Sequence, residues 1–253
     1  MSQTEFFTSS QGRQLAYSRT DGAAPGVVFL GGFKSDMEGT KAVQLQAWAE
    51  RTGRAFLRFD YSGHGQSSGA FTDGCIGDWA QDAMAVLDAL TTGPQILVGS
   101  SMGGWISLLA ARAMTERVAG MVTIAAAPDF TEDSMWAGFD AQQRTQLETE
   151  GRIALPSEYD EPYVITRKLI EEGRNQLVLR QPLYLPFPVR FLQGTADIDV
   201  SMGVALQLLS HSEGPDMRLI LVDGADHRFS DPDCLALIAA SVEEVIARTG
   251  AEP

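Results

Sequence analysis

The pentapeptide Gly99-Ser100-Ser101-Met102-Gly103 constrains this chain more than any other stretch. It follows the apolar run Gln95-Ile96-Leu97-Val98 and precedes a helix-like segment that starts at Trp105. Glycines two residues either side of a serine, set between a strand and a helix, mark a sharp, strained turn that lifts the serine off the end of a sheet. The flanking positions must be small because the turn brings two backbones together, and glycine has no Cβ to clash. Such a turn also leaves the Met102 N–H at a helix start, facing the same space as Ser101 Oγ. Ser101 is the candidate nucleophile. Ser100, just before the apex, reads as a structural side chain.

A nucleophilic serine needs a base, and the base needs an orienting carboxylate. The chain has only three histidines: His64, His211 and His227. His227 closes Asp223-Gly224-Ala225-Asp226-His227, just past an apolar strand pattern. Asp197 closes Gly194-Thr195-Ala196-Asp197, also just past one. Both fall at the same end of a parallel sheet as Ser101, in the order serine, acid, histidine that such a turn uses. The rivals are weaker. His64 precedes the serine and reads as shaping its own loop, and His211 falls at a helix end. Asp199 competes with Asp197 as the acid, whereas Asp223 and Asp226 sit too close to His227. The glycine-rich loop Gly31-Gly32-Phe33-Lys34 follows the third strand, so the N–H groups of Phe33 and Met102 are the candidate oxyanion donors.

The remaining pattern supports one α/β domain of 253 residues. Strands are expected over 5–8, 13–18, 26–30, 55–59, 95–98, 118–125, 189–192 and 217–222. Helices are expected over 40–51, 78–90, 202–209 and 234–248, as well as after the serine turn. Strands alternating with helices make a mostly parallel eight-stranded sheet with helices on both faces. Residues 129–188 break the alternation. They hold Pro156, Pro162, Pro182, Pro186 and Pro188, with two helix-like pieces near 132–150 and 162–176 and no clear strand, and read as a helical cap inserted into the domain. Trp136, Phe139, Tyr163 and Leu169 are candidates for an apolar acyl pocket, with packing of the cap onto the body as the competing role. Lys34 is a candidate to meet a carboxylate on a substrate, against the role of an ordinary solvated lysine.

Net charge is −14, a field that repels nucleic-acid phosphates and anionic membranes. No apolar run approaches a membrane span. The N-terminal residues show no signal-peptide pattern and no Arg-rich presequence, so a cytoplasmic location is expected. Cys75 and Cys234 form no CxxC or Cys/His cluster, so neither a metal site nor a disulfide is expected. No cofactor is implied.

Phe29-Leu30-Gly31-Gly32-Phe33, Arg58-Phe59-Asp60-Tyr61-Ser62-Gly63-His64-Gly65-Gln66-Ser67, the serine turn and the loops of Asp197 and His227 together resemble the α/β-hydrolase superfamily over nearly the whole chain. The longer strings 34–42 and 93–105 are similar to the mitochondrial acyl-glucuronide esterases also described as palmitoyl-protein thioesterases, and the chain reads as a bacterial-type relative without a presequence. The resemblance implies an α/β-hydrolase fold and a serine esterase or thioesterase with Ser101, Asp197 and His227 as its triad. It implies a small-molecule or lipid-acylated ester or thioester as substrate, an S-acylated protein included; charge and hydropathy, separately, lead us to expect no nucleic-acid partner and no integral membrane association. A cofactor-free haloperoxidase or perhydrolase is the alternative on the same triad, and a catalytically silent ligand-binding homologue is another. Gly31 stands where many such hydrolases have histidine, and Gln193 where many have histidine before the acid loop.

Overall fold

The computed structural model describes residues 4–155 and 162–250. Its centre is an eight-stranded sheet with strand order β1-β2-β4-β3-β5-β6-β10-β12. These strands are β1 (Glu5–Thr8), β2 (Gln14–Thr20), β3 (Ala23–Leu30), β4 (Arg54–Phe59), β5 (Gln95–Ser100), β6 (Val118–Ile124), β10 (Val189–Gly194) and β12 (Met217–Val222). β1 and β2 pair antiparallel, as do β2 and β4, and every other neighbour pair is parallel. The central strands read as continuous apolar runs because helices cover both faces. Val27, Ile96, Val98, Val122 and Ile124 face α1 (Thr40–Thr52) and α7 (Pro232–Arg248). Val28, Leu30, Leu97 and Met121 face the side of α2 (Ile76–Leu90), α3 (Met102–Ala113) and α6 (Met202–His211).

Local chemistry sets the ends of these elements. Helix α1 stops at Gly53, which takes a left-handed φ of 66° and donates its N–H to Ala49 O. Helix α7 starts two residues before the expected Cys234. Asp231 caps it by accepting the Cys234 N–H, and Pro232 occupies the first turn, where a missing N–H costs nothing.

The excursion between β6 and β10 departs most from expectation. In place of one helix over 132–150 there is a π-helical turn, Thr131–Trp136, and then α4 (Ala141–Glu150). Asp140 separates them because its side chain caps α4 in a reciprocal capping box with Gln143. The excursion also contains strands, contrary to expectation. β7 (Arg152–Leu155) pairs antiparallel with β8 (Tyr163–Thr166), and β9 (Leu183–Tyr184) pairs with β11 (Ser212–Glu213). The Tyr-Val-Ile-Thr run of β8 is rich in β-branched side chains, which suit a pleated surface better than a helix. Helix α5 (Arg167–Gly173) begins only after Thr166, whose side chain accepts the Leu169 N–H. Pro156 lies outside the described residues.

Both thiols are buried and unpaired. Burial, with carboxylates close by, pushes Cys75 and Cys234 each up to about 12. Since the thiolate is the reactive form, iodoacetamide at pH 8 leaves both unmodified in the native protein and alkylates both in denaturant. Mass spectrometry of the labelled chain reads this directly, and rapid native labelling of either cysteine contradicts it.

Candidate active site

Ser101 sits at the turn between β5 and α3 with φ 54° and ψ −116°, a backbone region that residues with a side chain rarely occupy. The surroundings over-determine it. Its N–H donates to Ile124 O at 2.9 Å, and its carbonyl accepts from Gly104 N and Ala127 N. Both flanking glycines are required sterically. A Cβ at Gly99 would lie 2.3 Å from Gly103 O, and one at Gly103 would lie 2.0 Å from Leu30 O. The pentapeptide therefore wedges the start of α3 directly against the end of β3.

The strands that carry Asp197 and His227 are adjacent and parallel, in register from Val189↔Met217 to Gly194↔Val222. Their following loops are stitched together. Thr195 N donates to Val222 O at 2.9 Å, Ala196 N to Ala225 O at 3.0 Å, and Gly224 N to Thr195 Oγ1 at 2.8 Å. A Cβ at Gly194 would meet Ala225 O at 2.2 Å, so the loops can close only over a glycine. This stitching places His227 Nδ1 2.9 Å from Asp197 Oδ2 and His227 Nε2 3.1 Å from Ser101 Oγ. The three side chains, up to 126 positions apart in the chain, form one hydrogen-bonded line.

All four acceptor positions of the Asp197 carboxylate are used. Oδ1 accepts the N–H groups of Asp199 (2.9 Å) and Val200 (2.8 Å), and Oδ2 accepts from His227 and from Gln193 Nε2 (2.9 Å). Burial works to raise this carboxyl's pKa, but the bonds from His227, the Val200 N–H and Gln193 outweigh it and hold the group below the usual aspartate range. The acid is thus ionised at neutral pH. It fixes the proton of the neutral imidazole on Nδ1 and leaves Nε2 to accept from the Ser101 hydroxyl. Asp197, Asp199 and His227 offer ligand atoms within 4.8 Å of one another, yet Asp197 has no lone pair left to turn toward a cation.

The competing residues are engaged elsewhere. Asp199 supplies a backbone N–H to Asp197, not a carboxylate to His227. Asp223 accepts from Thr195 Oγ1, and Asp226 accepts the Phe229 N–H. His211 bonds Gln181 O at the end of α6. His64 lies in the loop after β4, where its Nε2 accepts the Lys34 N–H. In sequence Gln193 is only a departure from the usual histidine; its donation to the acid depends on the tertiary structure.

Phe33 N–H and Met102 N–H make no hydrogen bond to protein among the described residues. Met102 is the first residue of α3, where an N–H has no helical acceptor. The loop of Phe33 adjoins the serine: a Cβ on Gly32 would stand 3.5 Å from Ser101 Cβ. Buried polar side chains of β4 and the loop after it hold this loop. Arg58 donates to Met37 O, and Asp60 Oδ1 accepts the Met37 N–H at 2.7 Å.

A cavity of about 880 Å³ opens over Ser101 and His227, within the range of ~300–1,000 Å³ usual for small-molecule sites. The excursion supplies an apolar wall of Phe130, Met135, Leu155, Tyr163 and Ile165, which Phe33 joins from the body. Of the four residues expected at a substrate pocket, only Tyr163 lines the cavity. Trp136 is displaced from it, stacked against the guanidinium groups of Arg144 and Arg174 at 5.0 and 4.8 Å. Phe139 and Leu169 are buried in the core instead. Lys34 is not in the lining either; its ammonium lies 4.7 Å from the Tyr163 ring centre and 5.5 Å from that of Phe71. Phe130, Met135 and Ile165 line the cavity without a sequence signal, because their spacing matches ordinary core positions.

A doubly flanked serine turn at the edge of a parallel sheet, with a histidine and an aspartate delivered from neighbouring strand ends, defines an α/β-hydrolase. Residues 27–175 match the family model for the alpha/beta hydrolase fold, and the chain belongs to that family as a hydrolase. It is 36% identical to the mitochondrial palmitoyl-protein thioesterase ABHD10 of Rattus norvegicus, over 92% of this chain and 78% of that protein. The human ABHD10 is 33% identical over 92% and 76% of the two chains. Among solved structures, a putative hydrolase from Agrobacterium vitis superposes with a TM-score of 0.93 at 40% identity, covering 97% of this chain and 99% of that one. Mouse alpha/beta hydrolase domain-containing protein 10 superposes with a TM-score of 0.89 at 34% identity, covering 97% and 98%. The matching ABHD10 proteins are mitochondrial by name, which overturns the expectation of a cytoplasmic location. No helix among the described residues is long and apolar enough to cross a membrane.

Proposed function

We propose that this hydrolase is a serine thioesterase that cleaves long-chain acyl thioesters, and the corresponding carboxylic esters, through an acyl-enzyme. The carrying observation is the line Ser101–His227–Asp197 beneath a cavity with an apolar wall. His227 Nε2 removes the Ser101 proton as Oγ attacks the acyl carbonyl. Asp197 stabilises the imidazolium that forms. The Phe33 and Met102 N–H groups receive the oxyanion, and His227 returns its proton to the departing thiol or alkoxide. Water, activated by the same imidazole, then releases the acid. Residues 129–188 act as a cap whose apolar side chains take the acyl chain, while the body carries the chemistry. The names of the ABHD10 relatives favour an S-palmitoylated protein as the thioester.

The test combines an active-site label with a substrate series. A fluorophosphonate probe labels Ser101 alone, by peptide mapping. Acyl-thioesters and p-nitrophenyl esters from C2 to C16 show kcat/KM rising with chain length. Absence of labelling in folded protein refutes the serine mechanism, and a profile that peaks at C2 refutes the long-chain specificity.

A further inference from the structure

Resting on the serine-hydrolase reading, we propose that His64 is a positioning residue for the oxyanion hole. It pins the turn that presents the Phe33 N–H. Residues Gly32 to Ser35 form a four-residue turn closed by Ser35 N–H to Gly32 O at 3.2 Å. Lys34 holds its third position with φ 56°, and Phe33 has a negative φ. Positive φ at that position alone is the mark of a type II turn, which normally requires glycine there. A lysine in this conformation is strained, and a turn of the central peptide between Phe33 and Lys34 would relieve it as a type I turn. Something must hold that peptide in place.

His64 is placed to do so. The N–H of the central peptide, that of Lys34, donates to His64 Nε2 at 3.3 Å. His64 Nδ1 lies 3.2 Å from Ser62 O, which leaves Nε2 as the acceptor in the neutral ring. The ring is only 4% exposed. Tyr61, Phe71 and Trp79 meet it edge-on with centroids 5.0–5.6 Å away. Two of these, Phe71 and Trp79, also pack edge-on against the Phe33 ring, at 4.9 and 6.1 Å. One rigid aromatic cluster thus grips both the His64 ring and the side chain of Phe33, the residue just before the Lys34 donor. Ser35 Oγ, bonded to Gly32 O at 2.8 Å, steadies the turn from its other side but leaves the central peptide free to rotate. The histidine that chain order removes from the catalytic line is therefore the acceptor that anchors, next to Ser101, the turn whose first peptide carries the Phe33 N–H.

The test uses His64→Phe, which keeps the aromatic packing and removes the acceptor, and His64→Gln, whose carboxamide oxygen restores one. For a thioester substrate, the Phe variant lowers kcat about 10- to 100-fold, short of the 10²–10³-fold loss of a whole oxyanion donor, with KM within about twofold. Affinity for a trifluoromethyl ketone, which forms an oxyanion on the serine, falls by a similar factor. Affinity for the thioether analogue, in which a methylene replaces the carbonyl, stays unchanged. His64→Gln recovers most of kcat and of ketone affinity. Unchanged kcat in the Phe variant overturns the proposal. Equal loss of ketone and thioether affinity also overturns it, since that is what a collapsed pocket gives, as does a Gln variant no better than Phe. If Phe does not fold, the ratio of ketone to thioether affinity in the Gln variant decides alone: near the wild-type ratio it supports the pin, and a tenfold fall refutes it. Failure of the wild-type enzyme to take the fluorophosphonate would instead overturn the serine-hydrolase reading.

Discussion

Ser101→Ala lowers kcat by about 10⁴- to 10⁶-fold on any acyl substrate the enzyme turns over, the scale seen when the nucleophile of such a unit is removed. The expectation follows from what the hydroxyl does and from what its loss spares. Alanine keeps a Cβ, so the strained backbone at φ 54° costs the same in both proteins. The turn is held by backbone bonds to Ile124, Gly104 and Ala127 and by the close approach of Gly103 to Leu30 O, none of which uses Oγ. The melting temperature therefore stays within a few degrees while turnover disappears. On the proposed reading, substrate binding persists because the apolar wall is untouched, so the variant binds its substrate intact. A progress curve with purified protein, read beside a thermal melt, decides the matter. Substantial turnover in the folded variant, above a trace contaminant, removes Ser101 from the chemistry.

The readable parts of the chain were those where one local rule decides the outcome. The sheet strands were legible because helices bury both their faces, leaving unbroken runs such as 26–30 and 95–98. The serine turn was legible because it needs small residues at two fixed positions, and no other residue type fits 2.0 Å from a carbonyl oxygen. The line of Ser101, Asp197 and His227 could be drawn from sequence because each candidate follows a strand and the strands are parallel. The structure brings these side chains within hydrogen-bond reach of one another.

The excursion was less legible because its elements are short and set by contacts. Helix α4 has few buried residues, and its start depends on the Asp140–Gln143 capping box, which overrides the apolar periodicity that joined it to the preceding segment. Aromatic residues gave the wrong pocket for the same reason. Trp136 looks like an acyl contact in sequence, but two arginines close in space hold it elsewhere. The supports of the oxyanion loop were also hidden. Arg58, Asp60 and His64 act on residues 34–37, and only the parallel pairing of β3 with β4 brings them there.

Asp197→Asn produces the second large loss, about 10⁴-fold in kcat with KM little changed, by the wrong-tautomer effect. Its cause lies in the four donors that converge on the carboxylate. The N–H groups of Asp199 and Val200 both point at Oδ1 and need an oxygen there. An asparagine must satisfy them with its single carbonyl, which leaves its NH₂ at the Oδ2 position. That NH₂ then faces Gln193 Nε2, donor against donor, and also faces His227 Nδ1. Rotating Gln193 does not relieve the conflict without loss, because its Nε2 also donates to Val200 O at 2.9 Å. Imidazole answers the new donor by moving its proton to Nε2, the nitrogen that must accept from Ser101. The side chain that takes the serine proton in the proposed mechanism now presents one. Asp197→Asn should therefore keep its fold and lose its base, and Gln193→Glu combined with it should not return the activity, because relieving the donor conflict still leaves the NH₂ facing Nδ1. Proton NMR of the imidazole, together with kcat for both variants, tests this. An Asn variant within tenfold of the normal kcat would show that the acid does not set the tautomer of His227.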